Sequence, residues 1–213
     1  MATLEIYWSF RSPYSYLAID RLADIGRDYE IDIDFRPVRP LAMREPDFFE
    51  RGRKQFLPYL FKDVLRESQR LGIPFMPPNP DPIDMDLASG TVASAQPIMD
   101  RIMALGIAAA AQVRGIEFAR CVSRSIWGGV ADWHETERLT QTLATAGFEL
   151  EALAGWAVDN EELIRDTIIR NEAAQLEHHW GVPLMVLEGE PFFGQDRLDS
   201  LVWRLDGLGL KRD

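Results

Sequence analysis

Apolar and polar positions change their spacing repeatedly along this chain. Residues 4 to 10, LEIYWSF, are dense in β-branched and aromatic side chains and predict a first strand. From 13 to 28, Tyr16, Leu17, Leu22, Ala23 and Ile25 fall on a helical period. Residues 31 to 35 then alternate strictly. Ile31, Ile33 and Phe35 point one way and Asp32 and Asp34 the other, a half-buried strand closed by Pro37. A β-α-β opening joins its strands by a crossover, which favours a parallel pair.

The middle of the chain keeps a helical period. Helices are predicted over 55–71, 92–113, 115–127, 133–146 and 159–178, with breaks at Gly128-Gly129 and Gly147. A proline-rich connection, PFMPPNPDPIDMD, separates the first two. The pattern returns to β near the end. PLMVLE, residues 183 to 188, predicts a strand, Gly189 a turn, and PFFG a partner strand with Pro191 at its start. Leu198, Leu201, Val202 and Leu205 then mark a last helix. The order β-α-β, helical block, β-β-α predicts an α/β fold: one small sheet with a large all-helical insertion between its halves. The expected division is 1–39 with 179–213 for the sheet domain and 40–178 for the insertion. There is no internal repeat and no low-complexity linker, so the insertion should pack on the sheet.

Composition narrows the functions. The net charge of −11 opposes long-range attraction to nucleic acid or anionic membrane, so neither is an expected partner. Arg51, Arg53 and Lys54 form a local basic cluster that reads first as a solvated helix face. No apolar run of 18 residues is present, and no basic segment followed by an apolar one opens the chain; cytoplasm is the expected location. Cys121 is the only cysteine, which excludes an intramolecular disulfide and dithiol chemistry within one chain. It sits in an apolar-periodic helix and reads as a buried, inert thiol. His178 and His179 are neighbours on a helix, about 100° apart and without a third ligand, so no metal site is expected. His134 reads as a surface or capping histidine, and Trp127, Trp133 and Trp156 as core or interface.

Three short stretches carry candidate chemistry. In Ser12-Pro13-Tyr14-Ser15, Ser12 is a favoured N-cap and Pro13 suits the first helical position. The same helix start offers free N–H groups and a partial positive charge to an anion, and a thiolate there is stabilised. With no cysteine in place, a thiol brought by a ligand could use the position, with the Ser12 hydroxyl donating to sulfur. In Gly181-Val182-Pro183, a cis Val182–Pro183 bond would expose the Val182 backbone to an extended ligand. In Gly194-Gln195-Asp196-Arg197, Asp196 is an ordinary cap, and the helix start could equally take a ligand carboxylate while Asp196 takes an ammonium group. Each stretch has a plain capping or turn role; together they fit a small peptide bearing a thiol.

SFRSPYSYLA, RPV at 36–38, LGIPF at 71–75 and GVPLMVLEGEPFFGQDRLDSLVWRL resemble the 2-hydroxychromene-2-carboxylate isomerases. These are grouped with the kappa-class glutathione transferases and, more distantly, the DsbA-type disulfide oxidoreductases. The resemblance spans nearly the whole chain. It implies a thioredoxin-like domain with a helical insertion and glutathione as cofactor. By the same resemblance Ser12 is the catalytic group that activates the sulfur of bound glutathione, in the place where the oxidoreductases carry their reactive cysteine. Val182 would contact the cysteinyl part of glutathione beside a cis Pro183, and Gln195 and Asp196 would hold its γ-glutamyl end. The implied reaction is addition of the glutathione thiolate to an unsaturated aromatic acid, rotation about a bond, and loss of the thiol. A homodimer is implied by family analogy, and a small aromatic or electrophilic molecule as substrate.

The sequence departs from the family in two places. The family commonly carries a lysine three residues before the tyrosine of a Y-x-x-x-D segment; here Tyr59 to Asp63 is that segment and Phe56 holds the lysine position. Lys54 or Arg53 is the candidate replacement. The segment MPPNPDPIDMD also departs, with Asn79 a turn residue that could touch a ligand. Two rival functions remain: a kappa-like glutathione transferase that releases a conjugate, and a non-catalytic thioredoxin-fold module that binds glutathione or peptides.

Overall fold

Strand β1 (Ala2–Trp8) is a central strand of the sheet; one neighbour follows it closely in the chain, at residues 31–37, and the other comes from near the far end, at residues 184–187. The computed structural model describes residues 1–45, 47–48, 55–86 and 89–212. After β1 come α1 (Pro13–Asp28) and β2 (Ile31–Pro37). The helices α2 (Leu41–Arg44), α3 (Phe56–Leu71), α4 (Pro97–Ala111), α5 (Gly115–Trp127), α6 (Thr136–Ala144), α7 (Leu150–Asp159) and α8 (Glu161–Leu176) follow. The chain ends with β3 (Leu184–Leu187), β4 (Glu190–Phe193), a 3-10 turn (Gln195–Arg197) and α9 (Leu198–Gly207).

The four strands lie in the order β2-β1-β3-β4. β1 and β2 are parallel, from Ala2 opposite Ile31 to Trp8 opposite Pro37, as a β-α-β crossover requires. β1 pairs antiparallel with β3, and β3 with β4. The β3–β4 hairpin closes on Glu188 and Gly189, both at positive φ, the backbone that a two-residue hairpin turn demands. Pro191 sits in β4 opposite Val186; β4 is an edge strand, where a missing N–H is tolerated. Among the described residues, no strand of this sheet lies between β2 and β3. The fold is thus α/β, thioredoxin-like, with helices inserted between the halves of a mixed sheet.

Alternation in the strands separates two apolar layers. Leu4, Ile6 and Trp8 of β1 join Met185 and Leu187 of β3 in the main core, with Leu17 and Leu22 of α1 and Leu198, Leu201 and Leu205 of α9. Tyr7, Leu184 and Val186 face the other way, against Val38, Val182 and Ala174 of α8. The insertion completes the main core: Met99, Ile102, Phe118, Val122, Trp133 and Leu153 are buried in it. Burying each such side chain contributes roughly 1.5–3 kcal/mol.

Several boundaries move from those expected. β1 starts earlier and stops at Trp8, because Ser9, Phe10 and Arg11 turn the chain into α1, with Ser12 N–H donating to Ser9 O at 3.0 Å. α7 was not expected: its buried apolar positions are only Leu150 and Leu153, too few to show a period, and Gly155 interrupts them. Asn160 separates α7 from α8, so the helix expected from residue 159 starts at Glu161. Its side-chain amide donates to Trp156 O at 2.8 Å, closing α7, and its carbonyl accepts from Ile164 N–H, opening α8.

Candidate active site

Ser12 adopts extended backbone (φ −89°, ψ 115°), and its Oγ accepts from Ser15 N–H at 3.2 Å, so it caps α1. Pro13 carries no N–H, and the Ser15 N–H is taken by the cap. The Tyr14 N–H therefore stays unpaired among the described residues, a donor at the positive end of α1. The Ser12 hydroxyl donates to Val182 O at 3.4 Å, a long and weak bond that a better acceptor would displace.

Val182–Pro183 is cis, as expected. The peptides before it are tied from several sides. Gly181 N–H donates to His179 Nδ1 at 3.0 Å, the fully buried Gln175 side chain of α8 donates to Gly181 O at 2.8 Å, and Arg44 Nη2 donates to Trp180 O at 3.2 Å. The Val182 N–H makes no hydrogen bond among the described residues. Pro183 O accepts from Gly194 N–H at 2.9 Å, which links this segment to the start of the last helix. Ser12, Val182, Pro183 and the Gly194 turn are thus connected in space, although they lie at opposite ends of the sequence.

Gln195 and Asp196 differ in what they offer. The Gln195 side chain is buried and used within the fold: Oε1 accepts from Arg21 Nη2 at 2.6 Å and Nε2 donates to Glu67 Oε2 at 3.0 Å. It joins α1, α3 and the final turn. Asp196 is exposed, with Arg197 Nη2 at 3.5 Å. Gly194 precedes them at φ 102°, and a Cβ there would lie 2.6 Å from Asp196 Oδ1, so the turn requires glycine.

Among the described residues, the charged and phenolic groups flanking Ser12 in sequence are paired. Arg11 makes a two-pronged ion pair with Asp81, 2.8 Å from Nε and 2.9 Å from Nη2. It therefore anchors the proline-rich connection and is not free to meet a substrate anion. That connection contains a second cis bond, Asn79–Pro80, and Asn79 O accepts from Asp132 N–H at 2.9 Å. The Tyr14 hydroxyl donates to Asp63 Oδ2 at 2.7 Å. Burial raises the Asp63 pKa, but hydrogen bonds from Tyr14, Arg66 and Tyr59 outweigh it and hold the carboxyl below its ordinary value. Burial and the Asp63 bond push the Tyr14 phenol well up, so it stays protonated and cannot serve as a base near neutral pH. Phe56, at the lysine position, packs edge-on against Phe48 at 5.7 Å. Arg51, Arg53 and Lys54 lie outside the described residues.

Sequence reasoning missed a ring cluster beside the cis proline. His179 stacks on Phe193 at 3.7 Å and on Trp180 at 5.1 Å, and Phe48 meets Trp180 at 5.2 Å. Trp180 and Phe193 remain 41% and 38% exposed, so apolar surface borders the Val182 edge. The signal was HHWG followed by PFFG, two aromatic clusters that only the β3–β4 hairpin brings together. Cys121 is half-buried against the core rather than fully buried as expected; burial still raises its pKa to about 11, and its Sγ donates to Phe118 O.

The family model for the DSBA-like thioredoxin domain matches residues 3–206. The chain is 23% identical over 211 residues to a 2-hydroxychromene-2-carboxylate isomerase of Sphingobium xenophagum, covering 93% of this chain and 95% of the relative. It is 27% identical over 205 residues to a protein of the same name from Pseudomonas putida, covering 93% and 91%. The solved structure of a 2-hydroxychromene-2-carboxylate isomerase superposes with a TM-score of 0.70 at 24% identity, over 97% of this chain and 95% of the other. The cytosolic disulfide reductase DsbM from Pseudomonas aeruginosa, solved with GSH, superposes with a TM-score of 0.61 at 18% identity, over 96% and 99%.

Proposed function

The chain belongs to the DSBA-like thioredoxin domain family, and from that premise we propose that it is a glutathione-dependent isomerase of the 2-hydroxychromene-2-carboxylate type. One observation carries the reading: the Ser12 hydroxyl meets the Val182 carbonyl at 3.4 Å, and each of the two strands of chain meeting there presents an unpaired N–H, from Tyr14 and from Val182. A thiol peptide needs those groups. Its backbone pairs with the N–H and C=O of Val182 as a short added strand, and its sulfur takes the donors of Ser12 and Tyr14. Asp196, exposed at the end of the same linked segment, suits the ammonium of a γ-glutamyl group. With its side chain engaged inside the fold, Gln195 contributes as the anchor of that turn.

Bound glutathione supplies a thiolate that adds to an unsaturated carbon and leaves again after bond rotation, so it is not consumed. Ser12 O–H and Tyr14 N–H hold negative charge on sulfur, in a place where no cation has to be recruited. The ring faces of Trp180 and Phe193 give an aromatic acid an apolar surface beside the Val182 edge. Dithiol exchange within the chain is excluded by the single cysteine.

Calorimetric titration with glutathione, followed by incubation with an unsaturated aromatic acid, tests the reading. An isomerase converts the acid and leaves the free thiol constant. Stoichiometric loss of thiol makes the protein a kappa-like transferase, and binding without turnover of any electrophile makes it a binding module. Failure to bind glutathione refutes the proposal.

A further inference from the structure

Helix α8 has an unusual buried face. Asn171, Glu172 and Gln175 are its buried polar residues, while Leu163, Ile169 and Leu176 are exposed. Buried polar groups persist when they are satisfied, and these bond to backbone or to charge at every position. Asn171 donates to Pro37 O at 3.0 Å. Glu172 takes Arg39 in a fork, at 2.9 and 2.6 Å, and also accepts from Arg39 N–H at 3.0 Å. Arg39 O accepts from Arg44 Nε at 2.9 Å. Arg44 then divides its fork: Nη1 donates to Gln175 Oε1 at 3.1 Å and Nη2 to Trp180 O at 3.2 Å. Gln175 passes the orientation on by donating through Nε2 to Gly181 O at 2.8 Å.

The network ends one residue before Val182. Two successive carbonyls, of Trp180 and Gly181, are fixed from the insertion side, and the Gly181 N–H is fixed by His179. No atom of the network reaches the Val182 N–H or C=O. A set of bonds that holds the peptides before an edge and leaves the edge itself open acts on the edge's direction.

We propose that Gln175 and Arg44 are positioning residues that aim the Val182 backbone edge at the cysteinyl part of bound glutathione by fixing the carbonyls of Trp180 and Gly181. This rests on the glutathione reading above. The Gln175 amide is oriented by Arg44, which only its oxygen can accept, so its N–H₂ must face Gly181 O. Arg44 is held in turn through the carbonyl of Arg39, itself clamped by Glu172. The insertion therefore sets the geometry of a site whose contacting residues all lie in the sheet domain.

The test is Gln175→Glu. The carboxylate keeps Arg44 as a partner, but it places an oxygen where Gly181 O needs a donor. Two readouts apply. Without ligand, amide exchange at Gly181, followed by NMR, is expected to accelerate several-fold, with little change at helix-core amides. With ligand, glutathione is expected to bind about tenfold more weakly by calorimetry, the loss of roughly one well-placed hydrogen bond. The KM for glutathione should rise more than kcat falls, and the pKa of the bound thiol should stay put, because Ser12 is untouched. Arg44→Lys, whose ammonium cannot serve three carbonyl-type oxygens in the geometry of a fork, is expected to move both readouts the same way and covers the case of a Gln175 variant that does not fold. Wild-type binding with unchanged exchange or unchanged affinity in these variants overturns the positioning role alone. A lower yield of active protein with an unaltered KM also overturns it. Absence of binding by the wild type overturns the functional reading, and this inference with it.

Discussion

Replacing Ser12 by Ala removes two hydrogen bonds of unequal weight. The cap, from Ser15 N–H at 3.2 Å, is worth about 0.5–2 kcal/mol, and the donation to Val182 O at 3.4 Å adds little at that length. A loss near 1 kcal/mol lowers the melting temperature of a chain this size by about 2–4 °C, so the variant should remain folded at room temperature. The chemistry is affected more. A hydrogen bond to a charged group is worth about 1.5–3 kcal/mol, and one pKa unit corresponds to about 1.4 kcal/mol. Without its hydroxyl donor, the bound glutathione thiol should titrate about one to two units higher. A group with a depressed pKa is ionised above that value, so the acid limb of the pH–rate profile should move to higher pH. Activity at neutral pH should fall tenfold or more and partly recover in base. The assay follows thiolate ultraviolet absorbance and turnover against pH in both proteins. A folded Ser12→Ala protein with the wild-type profile would refute the catalytic role and leave Ser12 a cap.

Other substitutions separate packing from chemistry. Ser15→Ala deletes a hydroxyl that is fully buried and without a partner among the described residues, so melting temperature should hold or rise slightly and the pH–rate profile should not move. Gly115→Ala places a Cβ 2.5 Å from Phe35 Cδ1 on a ring that is itself buried; thermal unfolding should register a loss of about 1–3 kcal/mol. Asp20 on α1 is raised by burial but lowered more by hydrogen bonds from Arg124 and Arg120 of α5, leaving its pKa below the ordinary value. A depressed carboxylate stabilises the fold above its unfolded pKa and loses that contribution as pH falls below about 4. Denaturant melts should therefore show a shallower acid decline in Asp20→Asn than in wild type; an identical slope would remove the α1–α5 pair from the account.

The sheet was legible because its strands are short and distinctive. Strict alternation in IDIDF and the Gly189 turn before PFF left little choice, and the parallel pair followed from the crossover. The Ser12, Val182 and Gly194 stretches were legible because turn and cap residues mark them locally. The sequence did not show which of these side chains would be used internally. Gln195 binds Arg21 and Glu67, from helices 174 and 128 residues away, and Arg11 binds Asp81, 70 residues away. Pairings of that kind leave no local period or spacing. Helix α8 lies within the run expected over 159–178, but its inward polar face reads as an outward one when burial is inferred from polarity. Phe193 and Trp180 are well separated in the sequence and meet only because the β3–β4 hairpin folds the chain back.

The central position of β1 has a consequence for synthesis. One edge of β1 pairs with β2 as soon as residue 37 is made, but its other edge waits for β3, which begins at Leu184. At about 5–20 residues per second, the ribosome takes roughly 7–30 s to cross that interval. Throughout it, Leu4, Ile6 and Trp8 line a half-paired strand that can recruit any other extended chain. The helical block is therefore also a delay. A nascent chain must shelter the exposed edge against its own early helices or against a chaperone, and stalled translation products ending inside the block should aggregate where the finished protein does not.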